Sequence, residues 1–253
     1  MRAYDPGMAS PSGAEPIPAR NSARARRPVL RRIGRWLATA LALAVLLPSL
    51  VLIVYRFVPP PGTPLMLIRL AQGEGLEQRW RPLDAISPHL PRAAIAAEDN
   101  RFCLHHGFDW RELSGELRGL LEGRRTRGAS TITMQVAKNL FLWDGRSFVR
   151  KILEAWLTPL VELWWDKRRI LEVYLNIAET GPGLYGVEAA AQAYFAKPAK
   201  DLTRREAARI IAILPNPRVY SATRPSPLVA RRARVIEQRI EQLGPLLDCA
   251  RLP

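Results

Sequence analysis

The sequence predicts a mainly α protein, a helical domain carried on one membrane-spanning helix near the N-terminus. Three observations predict it. Trp36–Tyr55, WLATALALAVLLPSLVLIVY, is a run of twenty residues without a charge. Beyond residue 85, apolar residues recur at helical spacing behind Ser, Thr and Asp cap signals. Strand-like alternation is nearly absent past residue 80.

The elements follow in order. Residues 1–35 hold eight arginines against two acids, a net of +6, among Pro, Ala and Ser. That composition predicts a disordered basic tail. At 1.5 Å per residue the uncharged run reaches roughly 30 Å, the thickness of a hydrocarbon core. A cleavable signal would be shorter and end in small residues, whereas this run leads into YRFVPPPG and reads as an uncleaved anchor over 36–56. The arginines before it place the N-terminus in the cytoplasm and everything after about residue 58 outside. Residues 57–80, opening with PPPGTP, predict a stiff juxtamembrane stalk. The domain then occupies 81–253.

The chain carries +15 in total, so the domain is basic too. Topology accounts for the arginine tail, and the rest faces away from the cytoplasm. The charge therefore predicts lipid headgroups or an anionic substrate and no nucleic-acid partner. Cys103 and Cys249 lie 146 residues apart, and outside the cytoplasm they are free to pair or to stay reduced. His89, His105 and His106 have no spaced partners that would make a metal site.

Within the domain, Asp109 and Glu112 resemble a capping box, and Trp110, Leu113, Leu117, Leu120 and Leu121 share a face up to Gly123. The basic loop GRRTRG (123–128) predicts mobility. Ser130 is the expected cap of TITMQVAKNLFL, with Ile132, Val136 and Leu140 on one stripe and Thr131, Gln135 and Lys138 on another. A long helix over 147–165 contains Pro159. KRRILEVYLNIAE, the loop GPGLYG and EAAAQAYFAK follow, and Thr203 with Glu206 opens TRREAARIIAIL.

Two stretches carry the chemistry. In AAIAAEDNRFCLHHGFDW, Glu98 and Asp99 follow five apolar residues, which predicts a poorly hydrated carboxylate held as a proton acceptor. In RKILEAWLTPLVELWW, Arg150 and Lys151 lie four and three residues before Glu154 on one face. That trio reads either as a surface ion pair or as the polar wall of a cleft, given seven apolar neighbours. A carboxylate pair suggests chemistry at an anomeric carbon. Fixed cations, Lys138, Arg150 and Lys151, suggest an anionic leaving group such as a diphosphate.

These motifs resemble those of the peptidoglycan glycosyltransferases, which polymerise lipid II on a lysozyme-like fold. EDNRFCLHHG resembles the first motif through Glu98, Asp99, Phe102, His105 and Gly107. GASTITMQVAKNLFL is similar to the second through Gly128, Ser130, Thr131, Ile132, Gln135, Lys138 and Asn139, with Met134 where a first glutamine is common. RKILEA resembles the third, KRRILEVYLN the fourth through Tyr174, Leu175 and Asn176, and GPGLYGVEAAAQAYFAK the fifth. Five motifs in order across residues 80–225 are far more specific than one alone.

The resemblance implies Glu98 as the base and Glu154 as a second catalytic carboxylate that orients the cations or assists the diphosphate. It implies Ser130, Gln135, Lys138, Asn139, Arg150 and Lys151 as substrate-binding residues, with Asp99, Phe102, His105, Tyr174 and Asn176 in support. It names no definite cofactor and leaves room for a divalent cation, Mg or Mn, assisting the diphosphate. Implied partners are lipid II, the growing glycan strand and the bilayer, with other cell-wall synthases as candidates. The implied location is the bacterial inner membrane, with the catalytic domain in the periplasm. The chain ends without transpeptidase motifs, so the resemblance is to the monofunctional branch. A lysozyme-like hydrolase would need a protonated acid and no cation cluster; a silent membrane scaffold would need neither glutamate.

Overall fold

The computed structural model describes residues 22–124, 128–145, 147–243, 247, 249 and 250. Contacts divide the chain into residues 1–44 and 45–253. In the first unit, residues 22–44 are helical and belong to α1 (Ser22–Phe57), which runs through Pro48. Arg31–Phe57 is long and apolar enough to cross a membrane, and Trp36, Leu37 and Leu41 on it are exposed, which is compatible with a membrane anchor. The expected disordered tail of 1–35 is corrected in part. Residues 22–35 continue the helix, because Ala and Arg are strong helix formers, while 1–21 lie outside the described residues.

The stalk of 57–80 is corrected as well. Thr63 caps a helix, α2 (Pro64–Ala71), accepting from the Met66 N–H at 3.3 Å with Pro64 at the first helical position. Leu65 and Met66 are buried. A strand, β1 (Glu77–Gln78), follows. The PPPG segment reads as a spacer, but the next turn carries apolar residues that the domain needs.

The rest of the second unit is helical, with α3 (His89–Glu98), α4 (Trp110–Leu121), α5 (Ile132–Phe141), α6 (Phe148–Trp164), α7 (Lys167–Ile177), α8 (Val187–Phe195), α9 (Arg204–Ile213) and α10 (Pro227–Gln242). The GPGLYG loop is a tight hairpin of β2 (Glu179–Gly181) and β3 (Leu184–Tyr185). β3 lies between them in the order β1-β3-β2, parallel to β1 and antiparallel to β2. Three strands this short leave too little alternation to read. Gly186 (φ +80), just after the hairpin, passes the end of α7 so closely that a Cβ would meet the Asn176 carbonyl oxygen at 2.6 Å.

The core lies where α3, α5, α7 and α9 converge. Ile95, Ile132, Val136, Ile170, Leu171 and Ile210 are fully buried there, each stabilising the fold by roughly 1.5–3 kcal/mol. The expected stripe of α5 is the buried one, and α9 carries the expected Thr203/Glu206 capping box. α10 packs on α3 and α9. Met134 is buried too, so a thioether fills this place without a hydrogen-bond partner to find.

Cys103 and Cys249 are joined, with Cα atoms 5.4 Å apart, which settles the pairing that spacing left open. The bond ties the turn after Glu98 to the C-terminal segment. Asp109 Oδ1 accepts from the backbone N–H groups of Arg111 and Glu112, opening α4 as expected. The GRRTRG loop falls largely outside the described residues, at 125–127.

Candidate functional site

α3 ends at Glu98, and its preceding apolar residues, Ala93, Ala94, Ile95 and Ala96, are buried. The carboxylate emerges from that wall 14% exposed. Glu98 Oε1 accepts from Arg232 Nη2 at 2.7 Å, and Oε2 accepts from Gln135 Nε2 at 3.1 Å. The Tyr174 hydroxyl donates to Gln135 Oε1 at 3.4 Å, so the amide presents its N–H side to Glu98. Burial first, and then the negative Glu98, push the Tyr174 phenol well above its ordinary range. It stays a donor at any physiological pH.

Asp99 turns away from Glu98. Its Oδ2 accepts from the Ile132 N–H at 3.0 Å, at the start of α5, and its Oδ1 is 2.9 Å from His105 Nε2. A carboxylate at a helix N-terminus meets the positive end of its dipole. Asp99 and His105 therefore tie the first motif to α5. Gly107 completes the joint, because a Cβ there would meet Thr158 Cγ2 at 2.7 Å, and its carbonyl accepts from Thr131 Oγ1 at 2.6 Å. Phe102 is fully buried with Lys167 Nζ 4.4 Å from its ring centroid. It belongs to the core and does not line the cleft.

The second glutamate is organised differently. Glu154 is 3% exposed and accepts from Arg150 Nη1 at 2.8 Å and Lys151 Nζ at 2.5 Å. The buried carboxylate speaks against a fully exposed surface pair, although Lys151 itself is 44% exposed. Lys151 Nζ also lies 3.0 Å from Ser130 Oγ. Ser130 is not the cap expected of it: Thr131 caps α5, accepting from the Met134 N–H at 3.2 Å. The helix starts one residue later because the Thr131 hydroxyl is already fixed against Gly107, which leaves Ser130 with the cations.

α5 connects the two groups. Gln135 and Lys138 stand three residues apart on one face of it. Burial lowers the Lys138 pKa; Glu154 opposes that shift and Arg150 adds to it. Among the described residues no hydrogen-bond or ion-pair partner meets the Lys138 ammonium. Beside it opens a cavity of about 230 Å³ whose lining includes Arg69, Gln135, Lys138, Asn139, Tyr174 and Glu179, together with Trp143 and Asn216. Burial holds the Glu179 carboxyl above the usual range, against Arg69 and Arg218. Asn139 thus reaches the cleft. Asn176 does not: it is fully buried and brackets Arg81, accepting from its N–H and donating to its carbonyl, both at 2.8 Å.

Sequence reasoning missed Arg232, and with it Glu179 and Asn216. The signal for α10 was present, with Ser226 and Pro227 as cap and first residue ahead of Val229, Ala233, Ile236 and Ile240 at helical spacing. Nothing local ties Arg232 to a glutamate 134 positions earlier. The face of α4 expected to be apolar is exposed at Trp110, Leu113, Leu117 and Leu121, as are Phe148, Val149, Ile152 and Trp156 of α6.

The family model described as transglycosylase matches residues 66–241. Three relatives are each called biosynthetic peptidoglycan transglycosylase. One from Rhodospirillum centenum is 53% identical over 214 residues, 84% of this chain and 92% of the relative. One from Caulobacter vibrioides is 52% identical over 208 residues, covering 82% and 91%. One from Xanthomonas euvesicatoria is 47% identical over 245 residues, covering 94% and 96%.

Proposed function

Because this chain belongs to the transglycosylase family, we propose that it polymerises lipid II into β-1,4-linked glycan strands, with inversion and release of undecaprenyl diphosphate. The supporting observation is the continuity along α5. Gln135 touches a carboxylate poised to accept a proton, and one turn later Lys138 enters a cluster of cations.

Glu98 takes the proton from the C4 hydroxyl of the acceptor sugar. That oxygen bonds to C1 of the donor, and the C1–oxygen bond breaks with its electron pair leaving on the diphosphate. Arg232 fixes one oxygen of Glu98, while the other meets only a neutral amide and is the one free to receive the proton. Lys138, Arg150 and Lys151 neutralise the leaving diphosphate, with Ser130 donating to it. Glu154 sets the geometry of its two cations. Asn139 and the cavity beside Lys138 receive a sugar of the substrate. Asp99, His105 and Tyr174 hold these groups in register.

A resident metal does not fit these residues. Both Glu154 oxygens already accept from cations, and among the described residues no three His, Cys, Asp or Glu side chains gather. Any Mg or Mn ion would arrive with the diphosphate as part of the substrate, and no step here runs through one.

The anchor holds the domain on the periplasmic side of the bacterial inner membrane, with the N-terminus in the cytoplasm. The exposed apolar residues of α4 and α6 rest in the lipid headgroup layer, where a lipid-linked substrate enters. Other cell-wall synthases are candidate partners there. The test is incubation of the purified chain with labelled lipid II. Polymer that a muramidase cuts to disaccharide units is expected; intact lipid II after prolonged incubation overturns the reading.

A further inference from the structure

The end of α1 is bonded to the corner between α6 and α7, and apart from the one to Leu52 the bonds go to main-chain carbonyls at or just past a helix end. Arg169 donates to the Tyr55 carbonyl from Nε at 3.0 Å and from Nη2 at 2.7 Å, and Nη2 also reaches the Val58 carbonyl at 3.0 Å. The Trp165 indole N–H donates to the Leu52 carbonyl at 2.7 Å. In return, Arg56 Nη1 donates at 3.2 Å to the carbonyl of Trp164, the last residue of α6. Arg169, on α7, thus meets the negative end of the α1 dipole, and Arg56, on α1, that of α6. Leu52 is fully buried and Ser49 nearly so, although most of the neighbouring α1 side chains are exposed. Arg169 is itself held by Glu172 and lies 5.1 Å from the Trp80 ring centroid. Glu172 in turn accepts from the Leu83 N–H at 2.8 Å.

A passive tether needs none of this, since a flexible linker keeps a domain near a membrane equally well. We propose that Arg169, Trp165 and Arg56 form a clasp that holds the last turns of the anchor, residues 49–58, rigidly against the catalytic domain, setting the height and tilt of the cleft over the bilayer. These are positioning residues, outside the lining of the cavity beside Lys138. The inference rests on the lipid-linked substrate proposed above: a donor sugar tethered by its diphosphate at headgroup depth can react only in a cleft held at the same depth. A misplacement of about 1 Å costs on the order of a hundredfold in rate.

The test uses the full chain, wild type and carrying Arg169→Ala, Trp165→Phe or Arg56→Ala. The last two leave the Glu172 and Trp80 contacts of Arg169 in place, in case Arg169→Ala impairs folding. Each is assayed on lipid II in phosphatidylethanolamine–phosphatidylglycerol vesicles and on a short-chain, detergent-soluble lipid II analogue. The vesicle rate should fall about tenfold, while the rate on the soluble analogue and the melting temperature hold. Spin labels at Leu47 and Val219, with the native disulfide intact, should give a narrow distance distribution in the wild type and a broad one in the variants. That readout needs no turnover, so it judges the clasp even if the proposed activity fails. Parallel changes on both substrates, or an unbroadened distance distribution, overturn the inference.

Discussion

Glu98 and Glu154 are both shielded glutamates bonded to an arginine, yet their surroundings differ in the respect that matters for proton transfer. Glu154 has both oxygens committed to cations supplied by its own helix, three and four residues earlier. Glu98 has one cation, brought from α10, and on its other oxygen a neutral amide. Glu98 therefore keeps one oxygen, the one facing the amide, without a cationic partner, and Glu154 keeps none. In the proposed mechanism this difference assigns the proton to Glu98 and the arrangement of charge for the leaving group to Glu154.

The largest effect expected is that of Glu98→Gln. The amide keeps an acceptor for Arg232 and loses the basic oxygen, so polymerisation should drop about 10²- to 10⁴-fold while circular dichroism is unchanged. A wild-type rate in that variant would remove Glu98 from the chemistry and erase the contrast with Glu154.

Glu154→Gln should separate the two sites from the other direction. It leaves Arg150 and Lys151 facing a neutral group in a nearly dry position, at a cost of about 1–3 kcal/mol in unfolding free energy. Turnover should fall less than in Glu98→Gln, about tenfold, because the cations remain but lose their geometry. If the stability loss appeared in the Glu98 variant instead, the division of roles would be reversed.

The contrast also explains how much could be read beforehand. The Glu154 trio was legible because its members sit within one turn of a helix, where spacing fixes neighbours. The mainly α class and the buried stripe of α5 were legible for the same reason. Arg232 was not, because a partner 134 residues away is fixed by the packing of α10 on α3 and α9 and not by any local pattern. Ser130 was misread as a cap because Ser and Thr share that preference. The choice between Ser130 and Thr131 turns on the Gly107 carbonyl, which only the fold supplies. The segment after the proline-rich stretch was read as a spacer because α2 spans only two turns.

The smallest effect concerns pH. Burial lowers the Lys138 pKa from that of an ordinary lysine, with Glu154 opposing. A lowered lysine loses its charge below the ordinary value of about 10.4. Affinity for the diphosphate-bearing donor should therefore weaken as pH rises, before free lysine would titrate. The sign for stability is opposite: between the lowered and the ordinary value the unfolded chain binds the extra proton, so this group's contribution to stability rises with pH. Lys138→Ala should flatten the alkaline fall in donor affinity, and an unchanged profile would remove Lys138 from the anion site.

The most direct measurement pairs turnover with binding in Glu98→Gln, using labelled lipid II at one pH. If Glu98 acts only on the acceptor's proton, the variant will bind lipid II as tightly as the wild type and make almost no polymer. Equal losses of binding and turnover, or turnover that survives, would contradict the account.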